Sequence, residues 1–168
     1  WRKRKIEIQE KYEELLVRIN DTDSKSENKY IALESSEKKA PKVDEKLVKS
    51  LLAKLSDFEK KNLYLEKGFT LNKMAVLFET NTSYISQIIN DYKGKNFNSY
   101  INDLRIDYAT QKIYNDKQWR KFSVEDIEHE SGFSNRQSFS NYFFERNGIR
   151  PADFLKKRKQ EIENSKIT

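Results

Sequence analysis

The stretch that begins at Thr70 recurs at Ser123, and no other feature of this sequence constrains the fold as strongly. Thr70 corresponds to Ser123, Met74 to Ile127 and Asn81 to Ser134. The second copy then gains one residue, after which Ile85 corresponds to Phe139, Ser86 to Ser140, Ile89 to Phe143, Gly94 to Gly148 and Tyr100 to Phe154. Apolar matches alone arise by chance in amphipathic chains. Helix-capping residues and glycines that fall in register with them are harder to obtain by chance. Each copy reads as a short helix, a tight turn and a second helix begun by a polar cap, which is the helix-turn-helix plan.

The elements follow from periodicity and punctuation. Asp44 caps a helix that carries Leu47, Val48, Leu51, Leu52, Leu55 and Phe58. Thr70 caps the first short helix, with Leu71, Met74, Ala75 and Leu77, and Glu79-Thr80-Asn81 turns into a second with Ile85, Ile88 and Ile89. Phe97 to Asp116 forms a longer amphipathic helix through Tyr100, Ile101, Leu104, Tyr108, Ala109 and Ile113. Ser123 and Asp126 make a capping-box-like pair before Val124 and Ile127. Gly132-Phe133-Ser134 forms the second turn, Phe139, Tyr142 and Phe143 mark the next helix, and Pro151 opens a final one. Trp119 is expected to pack the junction between the two units.

The expected fold is therefore all-α: tandem helix-turn-helix units joined by a long linker helix, with an N-terminal helical extension. We expect an N-terminal helix over residues 1–20, a polar linker over 21–43 and a compact domain over 44–163. Within that domain the first unit spans about 70–93, the linker helix about 97–116 and the second unit about 123–147. In the linker, Pro41 blocks helix continuation, and Tyr30, Ile31 and Leu33 offer the only apolar patch. In the extension, Ile8, Tyr12, Leu15 and Ile19 form a heptad seam. The seam has three readings: it pairs two copies as a homodimer, continues a signalling helix, or docks on the domain.

Composition narrows the function. Only 36% of the 168 residues are hydrophobic and 36% are charged, lean for one large core. The chain has no cysteine and one histidine, His129, so neither a disulfide framework nor a zinc site is expected. No nucleophile–base constellation, glycine-rich phosphate loop or paired carboxylates stand out, so we expect neither an enzyme nor a cofactor. The net charge of +6 permits a polyanionic partner. Basic and acidic residues balance from Ser123 to the end, so placement, not total charge, must carry any DNA argument. Glu125, Asp126, Glu128 and Glu130 make one helix acidic, and that helix is expected to point away from DNA.

The segment SVEDIEHESGFSNRQSFSNYFFERNGIRPADF, Ser123 to Phe154, resembles the second helix-turn-helix of the AraC/XylS family of transcription regulators. The Gly-Phe-Ser turn, the later Phe-Ser and the Gly-x-x-Pro carry the likeness. The first unit, with Leu104 to Ile106 and Tyr108-Ala109 in the linker helix, is similar to that family's first half. The resemblance implies a regulator that binds double-stranded promoter DNA through two recognition helices in successive major grooves, with RNA polymerase as a further candidate partner. It implies base contacts from Ser83, Ser86 and Gln87 in the first helix and from Arg136, Gln137, Ser140 and Asn141 in the second. Arg can pair with guanine, and Gln or Asn with adenine, so the second helix is the better equipped. Three positions depart from the family pattern. Glu79 stands where the first turn usually has Gly, which predicts a strained or differently shaped turn. Arg150 replaces the usual Thr before Pro151, losing a cap and adding a candidate phosphate ligand. Phe144 occupies a position where a basic residue is common.

Asn81 and Ser134 are expected to be caps that also lend backbone N–H groups to phosphates. Lys93, Lys95, Arg120, Lys121 and Arg146 are candidate phosphate ligands near helix ends or in the connector. The chain opens Trp1-Arg2-Lys3-Arg4-Lys5, the pattern of the cytoplasmic edge of a membrane helix, or of a solvated basic helix start. The first reading implies a cytoplasmic fragment of an inner-membrane protein whose span lies upstream of Trp1. A helical protein–protein adaptor without DNA binding is the alternative function.

Overall fold

Short polar side chains set the helix starts. In the computed structural model, which describes residues 2–25 and 44–165, every regular element is helical. Helix α1 spans Arg2–Lys25, longer than the heptad alone predicts. The expected patch at Tyr30, Ile31 and Leu33 lies outside the described residues. Helix α2, Glu45–Lys60, begins where the Asp44 carboxylate accepts from Lys46 N. A 3-10 turn, Leu63–Leu65, leads to the first unit, α3 (Leu71–Leu77) and α4 (Thr82–Lys93). Thr70 caps α3 by accepting from Lys73 N at 3.2 Å, and Asn81 caps α4 by accepting from Tyr84 N at 2.9 Å. The linker helix α5 is Phe97–Asn115. A second 3-10 turn, Trp119–Lys121, precedes the second unit, α6 (Val124–Glu130) and α7 (Arg136–Asn147), and α8 (Pro151–Asn164) closes the domain.

The Ser123–Asp126 pair is a complete capping box. The Asp126 carboxylate accepts from Ser123 N at 2.8 Å, and Ser123 Oγ accepts from Asp126 N at 3.1 Å. Both α4 and α7 stop at a left-handed glycine, Gly94 at φ 66° and Gly148 at φ 70°.

The two short helices end in one conformation. Glu79 has φ 57° and its counterpart Gly132 has φ 78°, so α3 ends in the same left-handed step as α6 despite lacking glycine. Lys54 Nζ pins it, donating to the Phe78 carbonyl at 2.7 Å and to Glu79 Oε2 at 2.9 Å. The left-handed Glu79 costs about 1–2 kcal/mol. Glycine would remove that cost, but it would lose an exposed ion pair worth up to about 1 kcal/mol and loosen the unfolded chain by about 0.4–1 kcal/mol. Glu79→Gly is therefore expected to leave the urea midpoint nearly unchanged.

The extra residue of the second copy sits elsewhere than expected. Asn135, not Ser134, caps α7, accepting from Ser138 N at 3.0 Å. Asn81 thus corresponds to Asn135, and the insertion lies between the left-handed residue and the cap. Ser134 is an exposed turn residue.

Two apolar clusters result, one per unit. Leu51, Leu55, Phe58, Met74, Ile85 and Ile89 belong to the first; Ile113, Ile127, Phe139, Phe143 and Phe154 belong to the second. Helix α5 runs through both, with Tyr100 and Ile101 in the first and Ile106, Ala109 and Ile113 in the second. Its 19 residues correspond to about 28 Å of rigid spacer. Trp119 is buried at the junction as expected, edge-on to Tyr108 and tilted against Phe122.

The heptad seam is used within the chain. Tyr12, Leu15 and Ile19 are buried in the cluster of the second unit, and Ile8 packs against its edge. Of the three readings of the seam, this burial favours docking on the domain, because side chains already packed in an intramolecular core offer little apolar surface to a second copy. Among the described residues, no helix is long and apolar enough to cross a membrane.

Candidate nucleic-acid interface

A helix can read base edges only with side chains that leave the core, and α4 and α7 differ in how many they free. On α7 the buried positions are Phe139, Phe143 and Asn147. The face N-terminal to them is open: Arg136, Gln137 and Asn141 are exposed and Ser140 is half-buried. Gln137 Nε2 donates to Asn141 Oδ1 at 3.0 Å, so the two amides present a joined surface one helical turn long. A groove lined by Asn135, Arg136, Gln137, Ser140, Arg150 and Pro151 separates this face from the start of α8. On α4, Ser83 is exposed while Ser86 and Gln87 are half-buried. Its buried face is Ile85, Ile88 and Ile89. The two helices start from equivalent Asn caps, but α7 carries the only guanidinium at such a position.

Four of the eight expected phosphate ligands have partners within the chain. Arg146 forms a fork with Asp107, Nε to Oδ1 at 2.9 Å and Nη2 to Oδ2 at 2.6 Å, and reaches Asp103 at 3.2 Å. Its hydrogen bond to Asp107 pushes its pKa up from the ordinary arginine value. Lys95 pairs with the same Asp103. Lys93 pairs with Glu59 at 2.8 Å and lies over the Tyr100 ring. Arg120 Nη1 donates to the carbonyls of Ile113 at 3.2 Å and Tyr114 at 2.9 Å, satisfying the end of α5. Each of these four thus has a partner within the chain, a carboxylate or a helix-end carbonyl. Lys121 stays exposed. Arg150 is exposed, with its guanidinium 4.8 Å from the Phe144 ring. The departure at Phe144 thus supports the departure at Arg150 as a stacking platform.

The acidic helix α6 keeps Glu125, Asp126 and Glu130 exposed but buries Glu128. His129 is exposed, and among the described residues no group of His, Cys, Asp and Glu could hold a metal ion.

Sequence reasoning missed Arg105. It is 7% exposed, donating Nε to the Tyr64 carbonyl at 2.7 Å and Nη2 to the Glu66 carbonyl at 2.8 Å, with its guanidinium 5.7 Å from the Phe133 ring. Burial pulls its pKa down from the usual arginine value. It ties the segment before the first unit to the turn of the second. The signal was present: Arg105 lies four residues from both Ile101 and Ala109, on the buried stripe of α5.

A tandem helix-turn-helix with an open polar face on α7 defines a class, and comparison assigns the family. The family described as "Helix-turn-helix domain" matches residues 74–157. The chain belongs to this AraC-type helix-turn-helix family, the DNA-binding domains of transcriptional regulators. Among solved structures, an AraC-type transcriptional regulator from Chromobacterium violaceum is similar at 20% identity and TM-score 0.55, covering 67% of this chain and 94% of that one. The C-terminal domain of AraT, a response regulator from Geobacillus stearothermophilus, is similar at 17% identity and TM-score 0.54, covering 66% and 84%. The DNA-binding domain of AdpA, solved with a target DNA, is similar at 13% identity and TM-score 0.52, covering 68% and 94%. At these identities the likeness establishes the fold. No curated protein matches the chain.

Proposed function

We propose that this chain binds double-stranded promoter DNA sequence-specifically, with α4 and α7 in successive major grooves. The observation that carries this reading is the open N-terminal face of α7, where Arg136, Gln137 and Asn141 are exposed around a capped helix start. Nothing in the core needs these side chains, and their chemistry suits guanine and adenine edges. The two helices contribute unequally. Arg136→Ala is expected to weaken binding to the preferred site by about 1–3 kcal/mol and to relax preference at one base pair. Ser83→Ala is expected to cost less, because a lone hydroxyl reads either partner of several pairs. Fluorescence anisotropy on matched and single-mismatch duplexes measures both.

The pairing of Lys93 with Glu59 gives a second expectation. Lys121→Ala should lower the salt slope of binding by about 1, the signature of a lost phosphate contact. Lys93→Ala should leave the slope unchanged, because its ammonium is already paired with Glu59. Equal changes in both variants would place Lys93 on the DNA and remove the distinction.

A further inference from the structure

Helix α1 lies outside the residues that the family matches, yet it completes the second unit. Tyr12, Leu15 and Ile19 share one apolar cluster with Phe139, Phe143 and Phe154, and the Tyr12 and Phe154 rings are 5.6 Å apart. Polar contacts reinforce this seat. Arg18 Nη1 donates to the Arg146 carbonyl at 2.8 Å, and Nη2 donates to Asn147 Oδ1. Asn147 Nδ2 donates in turn to Thr110 Oγ1 at 3.0 Å, and Thr110 Oγ1 to the Ile106 carbonyl at 2.7 Å. A single run of hydrogen bonds therefore passes from α1 through the last turn of α7 into α5. The final carbonyls of a helix lack partners within it, and a cation there also suits the helix dipole. Arg18 supplies both.

The position of this contact matters. Arg18 holds the C-terminal end of α7, and Tyr12, Leu15 and Ile19 lie in the cluster beneath it. The groove at the N-terminal end of α7, around Arg136, Gln137 and Arg150, contains no residue of α1. Docked α1 supports α7 from the end opposite that groove.

We propose that α1 is a regulatory strap: docked, it holds α7 in its reading position, and a signal that detaches it lowers the DNA affinity of the second unit. This rests on the DNA-binding reading above. A signal acts by favouring the undocked state, and it can shift the equilibrium only as far as its preference for that state. The coupling is reciprocal, so DNA binding must tighten the docking of α1.

The test uses the full chain and hydrogen exchange alongside DNA titration. Leu15→Asp places a charge in the cluster and undocks α1. Val17→Asp, on the exposed side of the same helix at 63% exposure, is the control. Leu15→Asp should speed amide exchange in α1 and in the last turn of α7, leave α4 unchanged, and weaken duplex binding about fivefold or more. Arg18→Ala should act in the same direction without burying a charge, so it serves if Leu15→Asp fails to fold. Val17→Asp should change neither readout. Adding a duplex selected from a random-sequence pool to the unaltered chain should slow exchange in α1. Fast exchange in α1 with unchanged DNA affinity would overturn the proposal. If the unaltered chain binds no duplex, the DNA reading fails; unchanged exchange in α7 on undocking would then overturn the strap by itself.

Discussion

Gly132→Ala is expected to lower the unfolding free energy by roughly 2–5 kcal/mol, the sum of left-handed strain and overpacking. A Cβ at this position would stand 2.4 Å from the Leu65 carbonyl oxygen and 2.9 Å from its carbon, with Arg105 Nε at 3.1 Å. The obstruction is backbone and cannot rotate aside. The φ of 78° adds strain of its own. The first turn makes the contrast informative, because Glu79 holds the same left-handed conformation with its side chain in solvent. Two left-handed helix ends thus differ in what they tolerate, and the reason is what lies beside them. Urea unfolding followed by tryptophan fluorescence measures the effect; a loss below about 1 kcal/mol would mean that the Leu65 segment moves freely away from the second unit.

Arg105→Met is expected to cost roughly 2–4 kcal/mol. Two hydrogen bonds from a charged donor are lost, each worth about 1.5–3 kcal/mol, and the relief of no longer burying a charge returns part of that. Methionine keeps much of the volume, so the change isolates the polar contacts. The Tyr64 and Glu66 carbonyls lose their guanidinium partner, and with it goes the link between the segment before the first unit and Phe133 of the second. A loss confined to a few tenths of a kcal/mol would show that water replaces the guanidinium at both carbonyls.

Helix positions, caps and terminating glycines were legible because they depend on residues close in sequence. Thr70, Asn81, Ser123 and Gly148 act where the repeat places them. The cap of α7 lies one residue beyond the expected Ser134, because Ser and Asn are both good caps and stand side by side at Ser134 and Asn135. Deciding between them needed the backbone angles of the turn. The cations were harder. Lys93, Lys95, Arg120 and Arg146 find partners on other elements, Glu59, Asp103, Asp107 and the end of α5, and periodicity does not report such pairings. The same limit applies to α1. Its heptad marked a face that must be covered, but whether a second copy or its own domain covers it depends on the fold of the second unit. Arg105 shows the converse: a charged residue on an apolar stripe is a signal of buried pairing that the composition of the stripe tends to hide.

Exposed side chains on α7 matter only if DNA meets them, so selection from a random-sequence duplex pool tests the central claim most directly. The full chain should enrich sites containing two preferred blocks about one helical turn apart, with stronger base preference in the block read by α7. Arg136→Ala should flatten that stronger block and leave the other in place. If no duplex is retained even at low salt, the chain does not read DNA, and its exposed Val76 and Leu77 would then direct the search to a protein partner.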